Sequence, residues 1–138
     1  ILHEFSCAVI TPHPLEMARL IGKDVAAVEA DRIGTARSFA AEYGVTVVLK
    51  GHHTVIASPS GITYINTSGN SGLAKGGSGD VLAGVIGSLL AQGYPALDAA
   101  ALGVYLHGKA ADSLLKKGFS AAQMLPTDLP GEIGNLMK

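Results

Sequence analysis

The chain has no tryptophan and a single cysteine, Cys7. One cysteine excludes an intrachain disulfide and suits a reducing compartment, so a cytoplasmic protein is expected. Within Ser6-Cys7-Ala8-Val9 the thiol reads as a buried strand residue rather than a nucleophile. Charge is equally scarce: Asp, Glu, Lys and Arg make up 15% of the chain, the formal net charge is −1, and lysine and arginine nowhere cluster. The electrostatic footprint of a nucleic-acid or anionic-membrane binder is therefore missing, and a small-molecule partner fits better. No long apolar run is present either. The stretch of apolar and glycine residues within residues 81–91 is too short to span a bilayer, and no charged leader with a cleavage site opens the chain. It starts at Ile1 rather than Met and runs almost at once into an extended segment, which reads as a fragment.

What is abundant is apolar residue and glycine. Hydrophobic residues reach 48% and there are 18 glycines in 138 residues, the profile of one well-packed domain, residues 1–138, with tight turns. Four of those glycines crowd into Gly72-Leu73-Ala74-Lys75-Gly76-Gly77-Ser78-Gly79-Asp80, and apolar residues at helical spacing then start at Val81 and continue through Leu82, Val85, Ile86, Leu89 and Leu90. A loop opening directly into a helix offers backbone N–H groups without a Cβ in the way and a helix end with unpaired donors, so it favours an anion. Asp80, at that mouth, either caps the helix or meets a substrate proton.

The remaining chain alternates strands and helices. Ala8-Val9-Ile10-Thr11 reads as a buried strand delivering Pro12-His13-Pro14, and Leu15-Glu16-Met17-Ala18-Arg19-Leu20-Ile21 as two helical turns stopped by Gly22. Residues 28–43 read as one covering helix with Ile33, Ala36, Ala40 and Tyr43 inward, Arg32 left to solvent and Gly44 as the stop. Val45-Thr46-Val47-Val48-Leu49 has the composition of a central strand buried on both faces, and it ends in Lys50-Gly51-His52-His53-Thr54. A hairpin with a turn at Ser58-Pro59-Ser60-Gly61 follows. Beyond the glycine-rich loop, a helix begins at Pro95 with Leu97, Ala101, Val104, Ala111 and Leu115 on one face, packed closely because Gly84 and Gly87 flatten its neighbour. A last helix, capped by Thr127-Asp128, turns Ile133, Leu136 and Met137 inward.

Among the polar candidates, His13 between two prolines is a substrate contact or a strand-end turn histidine, and Lys50 is a ligand contact or a solvated strand end. His52 and His53 suggest a metal only weakly, since adjacent side chains on an extended segment point apart and no third ligand is near in sequence; no metal site is assigned to the chain. His107 sits among apolar neighbours in its helix and reads as core packing, and Glu16 reads as a dipole partner in the first turn of its helix.

Thr11-Pro12-His13-Pro14-Leu15-Glu16-Met17, Val48-Leu49-Lys50-Gly51-His52-His53-Thr54 and Ala74-Lys75-Gly76-Gly77-Ser78-Gly79-Asp80-Val81-Leu82-Ala83-Gly84, in this order and spacing, closely resemble the ADP/ATP-dependent NAD(P)H-hydrate dehydratases of the ribokinase-like superfamily. The resemblance covers essentially the whole chain, including Asn66 to Asn70 and His107-Gly108. The third stretch marks the superfamily, the first the family within it. Two positions depart from the family pattern: Leu15 stands where glycine is usual, and Lys75 where a small residue or threonine is usual.

The resemblance implies an α/β fold, the C-terminal portion of a ribokinase-like three-layer sandwich, with parallel strands, covering helices and one β-hairpin. It implies a lyase that repairs hydrated NADH or NADPH with ADP or ATP, Asp80 taking the hydroxyl proton. The N–H groups of Gly77, Ser78 and Gly79 would hold the transferred phosphoryl oxygens. Lys50, Gly51, His52, His53, Thr54 and Gly79 would contact ADP or AMP, and His13 and Asp80 the hydrated dinucleotide. Mg²⁺ is expected with the phosphates. A homo-oligomer is implied as well. So is an N-terminal half that these residues do not contain, without which the chain is expected to be weakly active or inactive. A small-molecule kinase of the same superfamily, acting on a hydroxymethylpyrimidine or a thiazole, shares the glycine-rich loop and stays as an alternative. A non-catalytic nucleotide-binding fragment is another.

Overall fold

The computed structural model describes residues 7–138, which form two compact units: residues 7–66 with 95–101, and residues 67–94 with 102–138.

The first unit holds a four-stranded sheet in the order β1 (Val9–Ile10), β2 (Thr46–Leu49), β3 (Val55–Ala57), β4 (Thr63–Ile65). β1 and β2 are parallel, with Val9 opposite Thr46; β2, β3 and β4 are antiparallel, with Val48 opposite Ile56 and Ile56 opposite Tyr64. Every residue of β2 is buried, as its nearly unbroken apolar composition requires. On one face Val47, Leu49, Val55 and Ala57 pack with Met17 and Ala18 of α1 (Pro14–Ile21), Val28 of α2 (Val25–Ala30) and Ala36, Phe39 and Ala40 of α3 (Arg32–Tyr43). The hairpin forms as expected, closed by the Ser58 N–H donating to the Ile62 carbonyl at 2.9 Å.

Several expectations change in this unit. Cys7 is exposed and precedes the paired segment, which begins where the Ala8 carbonyl accepts from the Thr46 N–H at 2.9 Å, and β1 itself is half-buried rather than buried. The helix over residues 28–43 is two helices broken at Asp31, whose φ of −147° and ψ of 73° leave the helical region. The Asp31 carboxylate accepts from the Gly34 N–H at 2.8 Å, so a side-chain cap competes successfully with helix continuity. Ala36 and Ala40 are buried as expected, with Phe39 beside them and Tyr43 packed against them, but Ile33, in the first turn after the break, is left 41% exposed.

The second unit contains α4 (Ser78–Ala91), most of α5 (Ala96–Lys116) and α6 (Leu129–Leu136). Leu106, Ala110, Ala111 and Leu114 of α5 bury with Met124, Leu129 and Ile133. Leu115, Leu136 and Met137, expected inward, are exposed, and Leu114 and Leu129 take their place. Asp128 does not cap α6; its carboxylate accepts from the Leu125 N–H at 2.8 Å and closes the turn before it. Close helix approach occurs at Gly103, where a Cβ would lie 2.6 Å from Ile86 Cγ1, and not at Gly84 or Gly87, which face open space. Among the described residues no helix is long and apolar enough to cross a membrane.

Candidate active site

The segments after the C-terminal ends of β1 and β2 carry the polar candidates of the first unit, His13 and residues 50–54. The Lys50 N–H donates to the Pro12 carbonyl at 2.9 Å and holds the two loops side by side. His13 is the N-cap of α1: its Nδ1 accepts from the Glu16 N–H at 3.2 Å while the Glu16 carboxylate accepts from the His13 N–H at 2.7 Å, a reciprocal capping box. His13 Nε2 also lies 3.0 Å from Glu16 Oε1, and Lys50 Nζ lies 4.0 Å from Glu16 Oε2. Glu16 thus joins His13 and Lys50, which is more than a dipole partner does. Its spacing of three from His13 was the signal for it.

Residues 50–54 are not extended. Gly51 has φ of 154° and His53, alone among the described non-glycine residues, has a left-handed φ of 58°. The chain therefore turns back, and the His52 and His53 rings lie 4.0 Å apart at 32° instead of pointing away from each other. Thr54, buried, closes the turn by donating from Oγ1 to the Gly51 carbonyl at 3.2 Å. The turn rests on Arg32 of α3, which donates to the His52 carbonyl at 2.6 Å and to the Leu49 carbonyl at 3.2 Å. Arg32 is not on the solvent face, and helical spacing carried no signal for this long-range contact.

In the second unit α4 begins at Ser78, one turn earlier than its apolar residues indicate. Gly77 is the N-cap, in a left-handed conformation with φ of 91°, and no side chain caps the helix. Asp80 is therefore not the cap but an exposed residue of the first turn, its carboxylate at the positive end of the helix. The Ser78 N–H donates to the Lys75 carbonyl at 3.2 Å, whereas the Gly79 N–H has no acceptor among the described residues. An uncapped first turn with an open glycine N–H is suited to an anionic oxygen. Lys75 does not reach toward it: Nζ donates to the carbonyls of Ala122 and Met124 at 2.5 and 2.6 Å. Upstream, Asp112 of α5 accepts from the Gly69 N–H at 2.9 Å and from Asn70 Nδ2 at 3.1 Å, and so anchors the approach to the loop.

No group of three or more His, Cys, Asp and Glu side chains is placed to hold a metal among the described residues.

The sequence profile described as NAD(P)H-hydrate dehydratase matches residues 3–135. The chain belongs to the NAD(P)H-hydrate dehydratase family. An ADP-dependent (S)-NAD(P)H-hydrate dehydratase of Neisseria meningitidis serogroup B is 54% identical over 121 residues, covering 88% of this chain and 41% of the relative. The bifunctional NAD(P)H-hydrate repair enzyme Nnr of Escherichia coli K12 is 49% identical over 121 residues, covering 88% of this chain and 23% of the relative. A crystal structure of the ADP/ATP-dependent NAD(P)H-hydrate dehydratase of Bacillus subtilis, co-crystallized with ATP/Mg²⁺, superposes with a TM-score of 0.89 at 37% identity, covering 95% of this chain and 47% of that one. A ribokinase-like superfamily protein of Enterococcus faecalis superposes with a TM-score of 0.80. The fold is thus the α/β ribokinase-like one, with an open mixed sheet and helices. The chain spans less than half the length of these dehydratase relatives.

Proposed function

We propose that this member of the dehydratase family carries out the nucleotide-dependent dehydration of hydrated NADH or NADPH. The observation that carries this is the start of α4, an uncapped helix end with an open Gly79 N–H and an exposed Asp80 in its first turn. Family membership over residues 3–135 supports it.

A hydroxyl is a poor leaving group, so the terminal phosphoryl of ADP or ATP is first moved onto it. The hydroxyl oxygen of the hydrate bonds to phosphorus as the bond to AMP or ADP breaks, and Asp80 takes the hydroxyl proton. The carbon–oxygen bond then breaks with loss of a proton from the neighbouring ring carbon, releasing phosphate and restoring the ring double bond. The N–H groups of Gly77 and Gly79 stabilise the phosphoryl oxygens, a role that backbone performs without side chains, whereas the Ser78 N–H, expected to share it, is taken by the Lys75 carbonyl. Lys50, Gly51, His52, His53, Thr54 and Gly79 contact the nucleotide, and His13 and Asp80 the hydrated dinucleotide. When bound with the nucleotide, Mg²⁺ supplies charge neutralisation of the phosphates.

Two measurements on the same preparation test this assignment: calorimetry with ADP, and ADP-dependent regeneration of NADH from its hydrate with phosphate release. Asp80→Asn is expected to lower regeneration at least about a hundredfold while ADP binding persists. Regeneration unchanged by Asp80→Asn overturns the assignment of the base. A phosphorylated product that persists without phosphate release indicates the small-molecule kinase instead, and ADP binding without Asp80-dependent turnover a binding module.

A further inference from the structure

The side chain beneath the turn of residues 50–54 belongs to none of the motifs. Arg32 reaches across from the first position of α3, and its two terminal nitrogens take separate carbonyls, those of Leu49 and His52. Its Nε is buried without a hydrogen-bond partner, the nearest carboxylate oxygen being Glu29 Oε2 at 4.0 Å. A buried, unsatisfied donor is unfavourable, and a lysine would avoid it. The arginine is therefore held there by what its fork does for the turn, since a guanidinium fixes two acceptors in one plane and an ammonium does not.

What the fork fixes follows from peptide geometry. In a trans peptide the N–H points opposite to the C=O. With the Leu49 carbonyl on Arg32, the Lys50 N–H points away and meets the Pro12 carbonyl. With the His52 carbonyl on Arg32, the His53 N–H likewise points away from the guanidinium, and among the described residues it has no acceptor. Gly51 completes the arrangement: a Cβ there would lie 2.5 Å from an Arg32 terminal nitrogen, so only glycine lets the backbone lie on the guanidinium. The His53 N–H, in a turn that includes a left-handed residue, is the kind of outward donor that a phosphate oxygen takes.

We propose that Arg32 is a positioning residue for nucleotide binding, holding the Leu49 and His52 carbonyls so that the His53 N–H faces outward to a phosphate of a nucleoside diphosphate. This rests on the assignment of Lys50, Gly51, His52, His53 and Thr54 as nucleotide contacts. Arg32 acts through the turn, so its geometry and not its charge is what matters.

The test compares the unchanged chain with Arg32→Lys, which keeps the charge and loses the fork, and with Arg32→Met, which loses both. ADP affinity is read by calorimetry, the melting midpoint by thermal denaturation and the turn by amide hydrogen exchange. Arg32→Lys is expected to weaken ADP about tenfold, with the midpoint within about 3 °C and faster exchange confined to residues 50–54. Arg32→Met is expected to weaken ADP at least as much. Arg32→Lys binding ADP like the unchanged chain overturns the proposal. So does a loss of affinity accompanied by faster exchange throughout α3, which marks a scaffold residue. If the unchanged chain itself does not take up ADP, the nucleotide assignment fails, and the proposal with it; that outcome is distinct because no variant is needed to see it.

Discussion

His107 Nε2 lies 3.0 Å from the carbonyl oxygen of Ser78 and 3.3 Å from its hydroxyl, so a buried imidazole on α5 holds the first residue of α4. It is not simple core packing. Ser78 opens the turn that presents the Gly79 N–H and Asp80, so this contact ties the position of the candidate anion site to the neighbouring helix. Replacing His107 with Leu is expected to lower stability by about 1–3 kcal/mol, because a buried polar partner is left unsatisfied. Urea denaturation measures the loss, and faster amide exchange over residues 78–80 locates it. His107→Gln, which restores a donor, is expected to recover part of both.

The break at Asp31 depends on one carboxylate. Asp31→Ala is expected to cost about 1 kcal/mol as the Gly34 N–H loses its acceptor. The comparison is Asp24→Ala, which removes the equivalent cap on Ala27 of α2 and is expected to cost a similar amount. Thermal midpoints of the two variants check this.

Gly103 marks the close approach of α5 to α4. Gly103→Ala places a methyl 2.6 Å from Ile86 Cγ1, an overpacking expected to cost about 1–3 kcal/mol. Gly84→Ala and Gly87→Ala, facing open space, are expected to be neutral or slightly stabilising, since alanine is the better helix former. Adding Ile86→Ala to Gly103→Ala removes the Cγ1 that crowds the new methyl, so the double variant is expected to lose less than the two single losses added together. Denaturation of the four single variants and the double variant tests the ordering.

Glu132 is buried and accepts from Lys117 Nζ and Ser113 Oγ, both at 2.5 Å. The Lys117 hydrogen bond first, and then that of Ser113, hold its carboxyl below the ordinary value of 4.5. A carboxyl whose pKa is lower folded than unfolded stabilises the fold fully above its unfolded value, and that contribution is lost as pH falls through the folded one. The urea midpoint is therefore expected to fall on acidification below the ordinary glutamate range. Glu132→Gln removes this part of the pH dependence and lowers the midpoint at neutral pH.

Local structure was largely legible because its causes lie within a few residues. Gly22 and Gly44 end α1 and α3 in left-handed conformations at the positions their helical patterns indicate. The apolar run of residues 45–49 forms the buried strand, and Ser58-Pro59-Ser60-Gly61 the hairpin turn, because strand composition and turn chemistry are properties of short segments. Apolar spacing places the start of α4 a turn late, since Ser78, Gly79 and Asp80 carry no apolar signal although their backbone is already helical. The break at Asp31 leaves no mark on the apolar pattern, because residues 28–43 keep helical spacing across it, and only the cap reveals it.

By itself the sequence determined the family and the order of strands, helices and glycine-rich loop, because motif, periodicity and capping all act over short spans of chain. Only the tertiary structure decided that Arg32 lies under residues 49–52, that His107 holds Ser78 from 29 positions away and that Lys75 ties down residues 122–124. Those partners are chosen by packing: a buried polar group must find a hydrogen bond wherever the folded chain supplies one, and distance along the sequence does not enter that requirement.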